Sequence, residues 1–200
     1  MPTPFCSHRT VLVLIVAALV GCDGQGPSGT TSFSVRLKDA PGDVQQAVVT
    51  ISEVDLVGSG GVQVLTQTPM TVDLLTLAAS ATTLVQGVEV PSGSYQQLRF
   101  KITGACLAVD NGNGGSDVYA TDGYDATQCG GEATGPLQAP SWAQSGLKVT
   151  MADNALVLTG AEKIVMVDFD VSQSFGHEAN GWVMHPVVTG ADVTTESAAP

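Results

Sequence analysis

From residue 33 onward, hydrophobic and polar side chains alternate with a period close to two, the spacing of a strand with one face on a core and one in water. In SFSVRLKDA, Phe33, Val35 and Leu37 alternate with Ser34, Arg36 and Lys38, and DAPGD at 39–43 then supplies turn chemistry. Residues 47–57, AVVTISEVDLV, continue as a strand with a change of parity: Val49 and Ile51 share one face, Val54 and Leu56 the other. That change predicts a bulge or bend near Glu53. GSGG at 58–61 turns the chain into a partner strand at 62–65, and residues 70–77, MTVDLLTL, form another strand. The AASATTLVQG that follows reads equally as loop or as one or two helical turns. A turn at 91–94 then feeds the clearest pattern in the chain, with Leu98, Phe100 and Ile102 inward and Gln97, Arg99 and Lys101 outward.

Between Asp110 and Trp142 the alternation gives way to DNGNGGSDVYATDGYDATQCGGEATGPLQAPSW, which reads as one long insertion loop. Beyond it, residues 146–151 and 155–158 suggest a hairpin through ADN, and KIVMVDFDV at 163–171 and GWVMHPVV at 181–188 supply two more strands. About nine to eleven short strands with regular turn signals and no strong amphipathic helix predict an all-β fold. The expected architecture is an antiparallel β-sandwich, immunoglobulin-like or transthyretin-like, over residues 33–190, with the insertion loop at 110–142 and a frayed tail at 191–200.

The first 21 residues break the alternation. His8 and Arg9 precede an apolar run of ten, VLVLIVAALV, too short to span a bilayer, which needs about 20 residues. It has the length of a secretory signal core. Leu19, Val20, Gly21 and Cys22 resemble the cleavage motif of bacterial lipoproteins. That resemblance implies a cut between Gly21 and Cys22, a diacylglycerol on the Cys22 thiol and a further acyl chain such as palmitate on the new amine. Each buried methylene contributes about 0.8 kcal/mol to such an anchor. Asp23 resembles the enteric signal for retention in the inner membrane, and residues 22–32 read as a flexible tether. The expected location is therefore the cell envelope, lipid-anchored on the exported side of an inner or outer membrane.

Charge narrows the partners. All 19 carboxylates and six of the seven basic residues follow Cys22, so that part carries a formal charge of −13. Such a surface repels phosphate backbones, which argues against nucleic acid. Removal of Cys6 with the signal and modification of Cys22 leave Cys106 and Cys129, which in an exported chain most simply pair with each other, the alternative being two free buried thiols. A disulfide closing that loop contributes on the order of 3 kcal/mol.

The segments VRLKDAPGDVQQAVVTISEVDL, VDLLTL, LVQGVEVPSGSYQQLRFKI, SGLKV, VDFDVSQSF and GWVMHPVV together resemble the bacterial lipoprotein family called domain of unknown function 4382, in that family's order from Ser34 to Val188. The resemblance implies an exported, usually lipid-anchored, β-rich domain and brings no catalytic residues with it. The insertion carrying the cysteine pair is not part of the shared pattern.

Candidate chemistry is sparse. Asp168 and Asp170 share one face of a strand, suited to Ca²⁺, to acid–base work on sugars, or to ion pairs with Arg99 or Lys101. DNGNGGSD resembles a calcium loop, but Gly112 stands where the third position needs a ligand and no glutamate closes it. His177, Glu178 and His185 match no zinc spacing, so no metal ligand set is assigned. No Gly-x-Ser-x-Gly nucleophile motif occurs. Tyr119, Tyr124 and Trp142, in or beside the insertion, suit carbohydrate stacking or protein contact, or else pin the loop to the sandwich. The leading expectation is a non-enzymatic protein that binds a carbohydrate or envelope protein through its insertion. The alternatives are an envelope hydrolase using Asp168 and Asp170, and a structural component of a membrane-bound assembly.

Overall fold

The computed structural model describes residues 29–40, 44–78, 80–139, 142, 146–150 and 156–194; Gly21, Cys22 and the apolar run before them lie outside these residues. Two sheets pack face to face. The smaller has the order β14-β11-β1-β5, from β1 (Thr30–Ala40), β5 (Thr82–Pro91), β11 (Lys163–Asp170) and β14 (Val188–Thr194). The larger is built on β2 (Gln46–Gly58) and β6 (Gly93–Asp110). Beyond β2 lie β3 (Gly61–Thr66) and β4 (Met70–Asp73). Beyond β6 lie β7 (Ser116–Ala120), β8 (Gly135–Gln138), β13 (Gly181–Met184) and β12 (Phe175–Glu178), in that spatial order. Also on β6 are β9 (Leu147–Thr150) and β10 (Leu156–Leu158).

The alternation read from the sequence decides which faces meet. Phe33, Val35 and Leu37 of β1 and Val165, Val167 and Phe169 of β11 are buried against Leu98, Phe100 and Ile102 of β6. A void between the sheets at this contact, lined by Leu37, Phe100, Ile102, Val167 and Phe169, is only about 10 Å³, too small for a water. The expected parity change in β2 is a bulge: Ile51 pairs with Ile102 and Glu53 with Lys101, leaving Ser52 as the extra residue. β6 answers with its own bulge one step away, where Thr50 pairs with Gly104, Ile51 with Ile102, and Thr103 is left over. Inward residues accordingly change from Leu98, Phe100 and Ile102 to Ala105 and Leu107.

Several expectations are corrected. The sandwich is not wholly antiparallel: β1 runs parallel to β11, and β8 runs parallel to both β7 and β13. β9 and β10, expected to pair with each other as a hairpin, instead each pair with β6, end to end along one side of it. The helical turn falls on Leu74–Ala78 rather than beyond it, and Thr82 already begins β5. The 110–142 segment is not a loop, since β7 and β8 are sheet strands within it. At the ends, Thr30 already pairs with Pro91 inside the segment read as tether, and β14 runs to Thr194, into the segment read as tail.

Below the bulges, the outer face of β2 and β6 carries a cross-strand ladder of charges, Glu53 opposite Lys101 and Asp55 opposite Arg99. Lys101 Nζ lies 3.6 Å from Glu53, whose carboxylate also accepts from Gln67 Nε2 at 2.8 Å and is held below its ordinary pKa mainly by that hydrogen bond. Asp55 is buried, 7 % exposed, and its Oδ1 has no hydrogen-bond partner among the described residues. Desolvation, with the Glu53 charge adding to it, raises its pKa from 3.8 despite Arg99 and Lys101. A raised carboxylate pKa means that the folded state holds the proton more tightly than the unfolded chain, so the ionised Asp55 costs stability at neutral pH. That cost fades as the pH falls through the folded pKa and is gone below 3.8. Asp55→Asn is therefore expected to melt above the parent at pH 7, with the difference closing below about pH 4; melting curves from pH 3 to 8 check this, and an advantage that persists unchanged at pH 3 contradicts it.

Candidate functional site

β6 spans 18 residues, and its two sides are served differently. One side pairs with β2 almost throughout. The other takes β10 at residues 93–95, β9 at 97–100 and β7 at 106–110, so between Phe100 and Cys106 no strand among the described residues adjoins it. Thr121 bonds to the main chain of that stretch: its N–H donates to the Ala105 carbonyl at 2.9 Å, and its Oγ1 accepts from the Ala105 N–H at 3.0 Å. The chain then leaves the sheet through Asp122 and Gly123, the latter at φ 69°, and the Tyr124 N–H donates back to the Thr121 carbonyl at 3.0 Å.

β8 continues where β7 stops. Gly135 and Pro136 are level with Tyr119 and Ala120, and Leu137 and Gln138 run on to pair with Trp182 and Val183 of β13. A gap one strand wide opens between β6 and β8 in consequence. It is a cleft of about 830 Å³, with Thr103 on one wall, Leu137 and Gln138 on the other, Asp122 and Tyr124 at one end, and Trp142 among its lining residues.

The loop that leaves the sheet folds back over the outer face of β6. Cys129 ends a 3-10 turn, Ala126–Cys129, and is disulfide-bonded to Cys106, with Cα atoms 6.0 Å apart. Asp125 caps that turn, its Oδ1 accepting from the Thr127 N–H at 3.0 Å and the Thr127 hydroxyl at 2.7 Å, and these bonds hold its carboxyl below the ordinary range. Val48, Cys106, Ala108, Val118, Ala120, Ala126 and Cys129 make a second, smaller core there. Tyr124 seals its edge: its ring lies on Gly104, where an added Cβ would come within 2.2 Å of Cδ2, and its hydroxyl lies 3.0 Å from Thr50 Oγ1.

The candidate residues separate. Tyr124 and Trp142 both line the cleft. Trp142 is only 5 % exposed and belongs to the main core, yet its indole N–H finds no acceptor among the described residues. Tyr119 turns away from them and packs beside Trp182 at 6.0 Å between ring centroids, with His177 edge-on to Trp182 at 5.3 Å. His185 Nε2 lies 3.6 Å from Glu178. Asp168 and Asp170 project from β11 in the other sheet, between the buried Val167, Phe169 and Val171, and line no part of the cleft. Their β1 register partners are Lys38 and Ala40, whereas Arg99 and Lys101, expected as their ion partners, serve the ladder with Glu53 and Asp55. Asp170 instead caps the helical turn α1 (Val171–Ser174), accepting from the Gln173 N–H at 3.1 Å and the Ser172 hydroxyl at 2.6 Å, which keeps its carboxyl below the ordinary range.

DNGNGGSD is a hairpin tip closed on itself. Asp110 Oδ1 accepts from the Gly112 N–H, Asn111 Oδ1 accepts from the N–H groups of Asn113 and Gly115, and Gly112 and Gly114 supply the positive φ. Among the described residues no group of three His, Cys, Asp or Glu side chains is placed to hold a metal ion.

Sequence reasoning named the aromatics and missed the walls. Thr103, Leu137 and Gln138 carry no recognisable chemistry; what places them at a site is the register of strands distant in sequence. Gly104 connects the two faces of this region. Gly104→Ala is expected to displace the Tyr124 ring and cost about 2 kcal/mol, roughly 4–8 °C in Tm for a domain of this size. In a Tyr124→Ala background the same change becomes nearly neutral; thermal melts of the four chains in this cycle check it, and additive losses contradict it.

No curated protein and no solved structure matches the chain. Residues 30–186, from the first residue of β1 to just past β13, match the family described as Domain of unknown function (DUF4382), a stretch that takes in the larger sheet, the cleft between β6 and β8, and the smaller sheet apart from β14. The chain belongs to the DUF4382 family.

Proposed function

We propose that this chain is a non-enzymatic binding module, held at the cell envelope by lipid on Cys22, that takes a neutral ligand in the gap between β6 and β8. The observation that carries the reading is the gap itself: a cleft of about 830 Å³ framed by rigid strands, within the size range of ligand sites. Among the described residues one charged side chain, Asp122, lines it, and the −13 charge of the chain after residue 21 repels anions. The apolar run at 11–20, followed directly by Gly21 and Cys22, supports the anchor.

The hydrolase reading gains no comparable support. Glycoside hydrolysis needs two carboxyl groups facing one substrate, one of them holding a proton. Asp170 is engaged by Ser172 and Gln173 in a way that favours its ionised form, and neither it nor Asp168 lines the cleft.

The chain has two tryptophans, Trp142 and Trp182, so Trp182→Phe leaves the cleft indole as the sole reporter. Titration of that variant with neutral oligosaccharides and end-blocked neutral peptides is expected to shift its emission saturably. At about 100 times the dissociation constant the ligand adds about 2.7 kcal/mol of stability, and Tm rises with it. Emission and Tm unmoved by the whole panel count against the reading. For the anchor, Cys22→Ala is expected to move the chain from the membrane to the soluble fraction on cell fractionation; a variant still in the membrane pellet removes it.

A further inference from the structure

Resting on that reading, we infer that the ligand of the gap is an extended segment of uncharged polypeptide, added as a strand between β6 and β8. The walls are the first reason. β6 has no strand neighbour on this side over residues 101–104, and β8 has none on its facing side at Leu137 and Gln138, among the described residues. Two walls of strand main chain flanking one missing rung are the arrangement into which a further strand pairs, here on both sides rather than at a single edge. Removing β7 from between its neighbours leaves them about 9–10 Å apart, two strand spacings, and the open stretch of β6 is about 14 Å long. The added strand continues the line of β7, antiparallel to β6 and parallel to β8.

The second reason is Trp142. A buried indole N–H ordinarily has an acceptor, and this one, 95 % buried in the lining, has none among the described residues. A peptide carbonyl in the gap is such an acceptor. The third reason separates peptide from sugar. A sugar ring stacks on a free aromatic face, but Trp142 is buried and the Tyr124 ring lies on Gly104. The free aromatic surface of this part of the sheet, at Tyr119 and Trp182, is outside the cleft. Asp122 and the acidic chain disfavour acidic segments, and the lining offers apolar and main-chain contacts to uncharged ones.

The test uses the full chain and three probes: an end-blocked pool of uncharged hexapeptides, the same pool N-methylated at alternate amides, and cellohexaose. N-methylation keeps the side chains and removes the ladder donors. The expected result is a saturable shift of Trp142 emission in Trp182→Phe with the plain pool and at least a tenfold weaker response with the N-methylated pool. In the unsubstituted chain the plain pool is expected to slow amide hydrogen exchange about tenfold in residues 101–104 and 137–139. Equal binding of the two pools, or protection confined to other segments, overturns strand addition while leaving a neutral-ligand cleft in place. Response to cellohexaose alone does the same and makes the ligand a glycan. Silence of both emission and exchange toward all three probes overturns the inference together with the reading it rests on.

Discussion

Two adjacent bulges in the β2–β6 pair are the constraint on which the rest of the larger sheet depends. A strand shows alternate residues to opposite faces, so one extra residue moves everything beyond it to the other side. Ser52 is extra in β2 and Thr103 in β6, and the hydrophobic sequence of each strand changes parity at its own bulge. The inner face therefore stays apolar from Leu98 to Leu107 on β6 and from Ala47 to Leu56 on β2. Without its own bulge, either strand would turn the apolar residues on one side of that point outward.

The same kink governs what neighbours β6 can keep. Bulges bend a strand and increase its local twist, and they tend to end pairing on the far side. β9 stops at Phe100 and β7 starts at Cys106, on either side of Thr103. Above the kink the outer face is apolar and needs a cover, which the 121–130 loop supplies under the Cys106–Cys129 disulfide. Below it the outer face is charged and needs none. The cleft lies at this boundary, where the covering loop leaves the sheet.

How much of this could be read beforehand follows from whether the cause is local. The β2 bulge was visible because Val49 and Ile51 against Val54 and Leu56 is a pattern within eight residues. Its counterpart at Thr103 was equally available, since Ala105 and Leu107 break the run of Leu98, Phe100 and Ile102, but small Ala and Gly make a weak hydrophobic signal. The disulfide followed from counting cysteines. The parallel pairing of β1 with β11 joins residues about 130 apart, and nothing local specifies it. The insertion read as loop because Gly, Asp and Asn dominate it, although SDVYA and GPLQ inside it are strands held by partners far away in sequence. The cleft was hidden for the same reason: its walls are defined by which strands stop, and stopping is a property of the sheet.

A gap of this kind is unfavourable for the free domain, and that bears on what it does. A buried donor without an acceptor costs about 1–3 kcal/mol, and among the described residues the Trp142 indole N–H has none. The strands on both sides are anchored independently of the gap, β6 through β2 and β8 through β13, so closing it would mean breaking register elsewhere. The covering loop is likewise held by a disulfide worth about 3 kcal/mol in loop entropy. Under the proposed reading, walls fixed by their outer neighbours and a donor without a partner among the described residues would make a site whose polar groups are already oriented. A ligand that brings a main-chain carbonyl to Trp142 then gains a hydrogen bond without first breaking one in the protein, and it loses little of that gain to reordering the walls.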